Sequence, residues 1–287
     1  MPSPAETGPV LITGCSSGLG QASARLFQAA GYRTVATSRR AADLEELRAV
    51  GCDTLQLDVA DEASRCAAVE TVQQRYGAIG VLVNNAGRGQ YGPIEEIPLD
   101  QYRHCFETNV FGPVHLSQLV LPGMRKAGRG RIVNVSSLAG RVGSPGGGVY
   151  HMTKFAVEAL ADALRPEVKR FGIDVVNVLP GPFASCFGGK VGETIPDTGP
   201  ESPYADYKHN LEKWMTEFMR PDRFGTMSCE RVARVVFKAA TVRRPRTRYN
   251  VGFIAKLGPI GRALTPDRVV DAHMTRQIPP AKRKRGL

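Results

Sequence analysis

Short apolar runs alternate with longer amphipathic ones from residue 9 to about residue 180, and nothing else in the chain constrains its fold as tightly. The short runs are Pro9–Thr13, Thr34–Thr37, Thr54–Leu57, Val81–Val83, Ile132–Val135 and Val175–Leu179. Each is bounded by Gly, Asn, Ser, Asp or Pro, and most are rich in Val, Ile or Leu. Continuous apolar runs of this length suit strands buried on both faces. Between them Leu19–Ala30, Ala63–Tyr76, Leu99–Leu121 and Tyr150–Phe171 read as helices. Strand, helix, strand, repeated, predicts an α/β fold. That fold is a doubly wound, Rossmann-type parallel sheet with helices on both faces.

The alternation stops after Pro180. Residues 182–203 are rich in Gly, Pro and Ser and carry no period. A helix over Tyr204–Met219 follows, with the only Trp at 214, then a helix over Cys229–Ala240 and a last strand at Thr247–Val251. A long irregular insert in a compact domain is usually functional. We read about 183–225 as a C-terminal substrate lid; the plain alternative is a surface loop. The 287 residues allow one continuous core. The expected organisation is a loose leader at 1–8, a single catalytic domain at 9–278 and a loose basic tail at 279–287.

The first apolar run ends in Thr13-Gly14-Cys15-Ser16-Ser17-Gly18-Leu19-Gly20, where a helix begins. Glycines let the backbone turn sharply and approach a pyrophosphate without side-chain obstruction. The helix N-terminus then offers free N–H groups and the positive end of its dipole. A Gly-rich turn alone says little. Placed after the first buried strand and before a helix, it is a dinucleotide fingerprint. Its spacing is TGxxxGxG, which resembles the short-chain dehydrogenase/reductase family.

The second strand leads into Ser38-Arg39-Arg40. An NAD site places Asp or Glu here to accept from the ribose 2′-hydroxyl, and this chain has neither. Arg39 can instead grip a 2′-phosphate through its planar fork, and Ser38 can add a hydroxyl donor. Arg40 either shares that role or is simply solvated. The cofactor expected is NADP(H). Asp58-Val59, at the end of the third strand, resembles the family's adenine contact. Asn84-Asn85-Ala86-Gly87, after the fourth, matches its NNAG, so the resemblance implies that Asn85, Ala86 and Gly87 lie beside the adenosine ribose.

Tyr150 and Lys154 open a helix four residues apart, on one face. Ser137 ends a strand thirteen residues upstream of Tyr150, and Asn109 falls within the helix over 99–121. Tyr and Lys so spaced are usually surface residues, and Ser-Ser after a strand is usually a turn; the neighbouring motifs are what give them weight. As bare chemistry the set suits carbonyl reduction, which needs a proton donor and a group that polarises the oxygen. A phenol with a pKa near 10 is a poor acid/base at neutral pH, and an ammonium beside it favours phenolate. Ser137 would donate to the carbonyl oxygen; Ser136 is one residue too far from Tyr150. The four match the family's Asn–Ser–Tyr–Lys set. The resemblance implies that Lys154 also holds the nicotinamide ribose and that Asn109 holds a water in a proton relay. It also implies nicotinamide contacts from Pro180, Gly181, Phe183 and Ser185, the last standing where the family commonly has Thr.

Val142, Gly143, Gly146–Val149, Phe183 and Phe187, with Trp214, Met215, Phe218 and Met219 of the lid helix, are the expected pocket wall. They would suit a bulky apolar ketone or secondary alcohol. Met and aromatic residues at helical spacing are equally often plain core. The resemblance extends weakly to the hydroxysteroid and retinol dehydrogenase branch and implies a homodimer or homotetramer. The alternative function is a nonenzymatic NADP(H)-binding sensor on the same fold.

Composition bounds the rest. The formal charge is +11, from 38 basic and 27 acidic residues, which raises nucleic acid or an anionic surface as a partner. Eight of those charges are Arg243, Arg244, Arg246, Arg248 and Lys282–Arg285, and removing those eight from +11 leaves +3. No nucleic-acid-binding signature accompanies them, so no nucleic-acid partner is expected. No stretch approaches a membrane span. The six cysteines have no CxxC spacing and no accompanying His cluster, so no metal is expected. Scattered cysteines suit a reducing cytoplasm.

Overall fold

In the computed structural model, residues 3–184, 192–220, 222–223 and 225–278 are described. Ser185, Phe187, part of the lid and the basic tail at 279–287 lie outside them. The apolar runs become seven strands: β1 (Val10–Ile12), β2 (Thr34–Ser38), β3 (Asp53–Gln56), β4 (Val81–Asn84), β5 (Gly130–Val135), β6 (Ile173–Pro180) and β7 (Arg248–Val251). All pair in parallel, in the order β3-β2-β1-β4-β5-β6-β7.

The helices are α1 (Pro4–Thr7), α2 (Gly18–Ala29), α3 (Glu45–Ala49), α4 (Glu62–Tyr76), α5 (Leu99–Phe106), α6 (Gly112–Ala127), α7 (Gly148–Lys169), α8 (Ala205–Phe218), α9 (Cys229–Thr241), α10 (Phe253–Leu264) and α11 (Asp267–Gln277). Side chains alternate across each strand. Val10 and Ile12 therefore join Phe27, Leu44, Val232 and Val236 on one face. Leu11 joins Val69, Val72, Leu116, Val120, Met124 and Ala161 on the other. A sheet packed on both faces explains why its strands read as unbroken apolar runs. Within the expected leader, α1 is one turn closed by a capping box between Ser3 and Glu6.

Two features of the sheet shape its functional end and its centre. The strand order reverses between β1 and β4, which opens a crevice at their C-terminal ends. A buried polar ladder also crosses the sheet centre. Asn84 donates to Asn134 (2.9 Å), Asn134 to Asn177 (3.1 Å) and Asn177 to Glu158 of α7 (2.7 Å), and Arg248 donates to the other Glu158 oxygen (2.7 Å). These are the in-register partners of β4, β5, β6 and β7. Slipping any of these strands by one residue would strand buried amides without partners.

The helix expected over Leu99–Leu121 is not continuous. It opens into a π-helical turn at Glu107–Phe111 between α5 and α6. Pro113 has no N–H to give the Asn109 carbonyl four residues back, so the regular ladder fails there.

Candidate active site

The crevice at the strand reversal holds a cavity of about 570 Å³. Gly14, Ser16, Ser17, Gly18, Leu19 and Gly20 form one wall, and Ser38 and Arg39 stand at the end of β2. Asp58, Val59, Asn85, Ala86 and Gly87 line it beyond β3 and β4, and Ser137, Tyr150, Lys154, Pro180 and Phe183 line its far end. The motifs, dispersed over some 170 residues of sequence, thus meet in one cleft.

The Gly-rich loop is tied to the NNAG segment. Asn85 Nδ2 donates to the carbonyls of Thr13 (2.8 Å) and Gly14 (3.1 Å), while Thr13 Oγ1 accepts from the N–H groups of Asn85 (3.0 Å) and Ala86 (2.9 Å). No side chain fits inside this clasp. A Cβ on Gly20 would lie 2.1 Å from the Gly14 carbonyl oxygen, and one on Gly14 would meet Ala86 Cα at 2.8 Å. Gly14 also has a φ of 72°, in the left-handed region. The N-cap of α2, Ser17, makes no side-chain capping bond, so its first N–H groups face the cleft uncapped. A backbone cradle closed to side chains and opening on free N–H groups fits a pyrophosphate.

At the outer end the two arginines separate. Arg40, expected either to share the 2′-phosphate or to be solvated, is paired with Asp43 at 2.7 Å and does not line the cavity. Its short spacing to Asp43 gives it a local partner. Arg39 faces the cleft. Gly181 is not a lining residue either; its N–H continues the sheet by donating to the Val251 carbonyl at 2.9 Å. Ser185 lies outside the described residues. Arg88, Tyr91, His104, Thr108, Glu193 and Thr194 join the lining, and sequence reasoning missed them. His104 reaches the cleft only because α5 packs beside it, and burial, with Arg88 next, lowers its pKa.

At the inner end, Tyr150 and Lys154 share one face of α7, with Lys154 Nζ 5.6 Å from the Tyr150 ring centroid. Lys154 is buried and donates to the Val135 carbonyl at 2.9 Å, which anchors it to the end of β5 beside Ser137. Burial pulls its pKa down to about 8, against the upward pull of Cys105 and Glu158. Burial pushes the Tyr150 phenol up to about 12, opposed by a hydrogen bond from Ser137. The lysine was expected to lower the phenol's pKa. In the free protein desolvation outweighs any such help, because Lys154 is buried and the half-buried Tyr150 ring is packed against apolar neighbours. Asn109 is buried in the π-turn and clasps Arg88: its Oδ1 accepts from the Arg88 N–H (2.8 Å), and its Nδ2 donates to the Arg88 carbonyl (2.8 Å) and to Thr153 Oγ1 (3.0 Å). The Asn109 side chain is thus committed to the loop after NNAG.

Above Tyr150 lies an apolar cluster: Tyr91, Leu211, Met215 and Ile278, with Ile195, Tyr207, Trp214 and Met219 against them. The Tyr91 ring stands 5.8 Å from that of Tyr150, and Phe218 stacks on Trp214 at 4.9 Å. The segment after 191 is latched down. Gln90 donates to the Thr194 carbonyl (2.5 Å), Tyr91 N–H to Thr194 Oγ1 (3.2 Å), and Lys208 pairs with Glu96 (2.9 Å). Val149 turns the other way into a core pocket with Ile97 and Cys105, and Gly143 lines a separate crevice; neither is part of the wall expected for them. Among the described residues no group of acids, histidines and cysteines could hold a metal.

The sequence model of the short chain dehydrogenases matches residues 9–195. Human retinol dehydrogenase 5 is 33% identical over 289 residues, covering 96% of this chain and 90% of its own. An NADPH-dependent 3-dehydrocapnine reductase from Ornithobacterium rhinotracheale is 34% identical over 273 residues, 91% of this chain and 94% of its own. A short-chain dehydrogenase from Streptomyces avermitilis superposes with a TM-score of 0.78 at 33% identity, covering 93% of this chain and 95% of that one. With the fold, the Gly-rich cleft and these likenesses together, the chain belongs to the short-chain dehydrogenase/reductase family of oxidoreductases.

Proposed function

We propose that this protein is an NADP(H)-dependent oxidoreductase that interconverts a bulky apolar ketone and its secondary alcohol, with Tyr150 as the acid/base. The observation that carries this reading is the Tyr150–Ser137–Lys154 group, with Lys154 buried and the other two half-buried, at the inner end of a cleft whose outer end presents Arg39. The nicotinamide, when bound, supplies or accepts the hydride. Gly14 to Gly20 seat the pyrophosphate through backbone N–H groups, and Arg39 and Ser38 take the 2′-phosphate. Asp58, Val59, Asn85, Ala86 and Gly87 flank the adenosine half; Pro180 and Phe183 flank the nicotinamide. NADP(H) is also supported by the relative whose name is NADPH-dependent.

In the reductive direction Ser137 Oγ donates to the carbonyl oxygen and Tyr150 Oη gives it a proton. A phenol held at about 12 is protonated at neutral pH and ready for that step. Lys154 keeps a positive charge near the phenolate left behind. Asn109 acts by holding the 88–91 loop, and the carbonyl that Pro113 leaves without its helical partner is the atom suited to hold a relay water. The apolar cluster of Tyr91, Leu211, Met215 and Trp214 excludes water and favours an apolar substrate. We assign residues 192–219 to the substrate lid on this ground. Exposed Phe111 of the π-turn and Met152 and Phe155 of α7 support a homodimer or homotetramer. Cysteines scattered without CxxC spacing suit a reducing cytoplasm, where NADPH favours reduction.

The test is NADPH consumption with a panel of apolar ketones, run on wild type and Tyr150→Phe. The variant should lose on the order of 10²–10⁴-fold in turnover while still binding NADPH. Equal turnover would remove Tyr150 from the chemistry.

A further inference from the structure

Helix α10 turns its large apolar side chains outward. Phe253, Leu257, Ile260 and Leu264 are 69%, 47%, 56% and 80% exposed. At about 100° per residue these four fall within a sector of roughly 60°. The opposite side of the helix meets the protein. Ala255 is buried, a Cβ on Gly258 would lie 3.2 Å from Leu138, and Arg262 donates to Asp267. A surface helix of a globular protein ordinarily does the reverse, burying its apolar stripe. Val269, on α11, is 57% exposed as well.

Charge accompanies the stripe. Residues 243–287 hold twelve of the 38 basic residues and two of the 27 acidic ones, a net +10; the other 242 residues hold 26 against 25. Lys256 on α10 and Arg268 and Arg276 on α11 are exposed; Arg243, Arg244 and Arg246 are exposed ahead of β7, at the end of that strand away from α10. Of the two acids, Asp267 is engaged by Arg262, and Asp271 lines the crevice between α11 and residues 141–145.

We propose that α10 and its basic surroundings dock this protein on an anionic phospholipid surface, with the stripe entering the boundary between headgroups and acyl chains. An apolar stripe flanked by Lys and Arg is the composition of an interfacial helix. No helix of the described residues is long and apolar enough to cross a membrane, so the contact is in the plane of the surface. A second copy of the chain is a poorer occupant, because it would bring the exposed Lys256, Arg268 and Arg276 of two chains together. A nucleic acid would use the charge and leave the stripe in water. Helix α11, which follows the stripe, leads to Ile278, buried with Tyr91, Leu211 and Met215 above Tyr150. The proposal does not depend on the substrate reading.

The experiment is co-sedimentation of the full chain with vesicles of phosphatidylcholine, with and without phosphatidylglycerol. It is run at low salt and at about 1 M salt, where the Debye length falls to about 3 Å. Wild type should pellet with the anionic vesicles only, and high salt should release most of it. Combined Phe253→Ser, Leu257→Ser, Ile260→Ser and Leu264→Ser should weaken binding at least tenfold with NADPH affinity and thermal midpoint retained. If the combined variant misfolds, Leu264→Asp alone, at the most exposed position, must weaken binding severalfold. Wild type remaining in the supernatant with every vesicle overturns the proposal, as does stripe-independent binding lost only on removing 279–287. So does a stripe variant that binds vesicles normally but changes from dimer to monomer, which would put a second copy on this face.

Discussion

Arg39 and Arg40 are adjacent, alike in chemistry and opposite in circumstance. Arg40 has an acid three residues on and spends its fork on it; Arg39 faces the cleft. Arg39→Asp should therefore weaken NADPH binding strongly and improve NADH, as measured by titrating each cofactor; an unchanged preference would mean Arg39 does not touch the 2′-phosphate. A second prediction concerns Lys154. Its pKa, depressed to about 8 by burial, means that the free enzyme loses this charge well below the range of an ordinary lysine. Because kcat/KM reports the free enzyme, reduction should fall on the alkaline side from about pH 8. A profile flat to about pH 10, where an unperturbed lysine titrates, would show that the Lys154 charge is not needed.

Among the elements, the strands were the most legible. Each expected strand is present to within two residues; burial on both faces leaves the inner strands little choice of residue type, while the edge strands β3 and β7, only partly buried, are read from their bounding residues. Helices α10 and α11 were not foreseen. The outward stripe of α10 has a helical period, but nothing in the order of residues says that it points away from the protein. The π-turn was within reach of the sequence: the helix expected over Leu99–Leu121 runs through both Asn109 and Pro113, and a proline cannot give the carbonyl four residues back its hydrogen bond. The Asn84–Asn134–Asn177–Glu158 ladder was also invisible, since it joins residues 50, 43 and 19 apart. Asn134→Leu would leave the buried amides of Asn84 and Asn177 each short of a partner. With about 1–3 kcal/mol for each unsatisfied group, we expect a stability loss of about 3 kcal/mol by denaturant unfolding. A loss below about 0.5 kcal/mol, the size of an ordinary surface change, would show that the ladder is not structural.

For the whole molecule, the sequence by itself determined the architecture and the Gly-rich fingerprint, and singled out Ser137, Tyr150 and Lys154 as candidates. Those depend on short-range signals: apolar runs the length of a strand, glycines where the backbone must turn, and side chains four residues apart on one helix. Composition also located the charge in the last 45 residues. Tertiary structure alone decided which of two arginines faces the cleft, that Arg88 and His104 join it, and that burial governs the pKa of Tyr150 and Lys154. It alone decided that the stripe of α10 faces outward. Each of these depends on what a side chain meets across the fold, and desolvation and long-range pairing are set by neighbours distant in sequence.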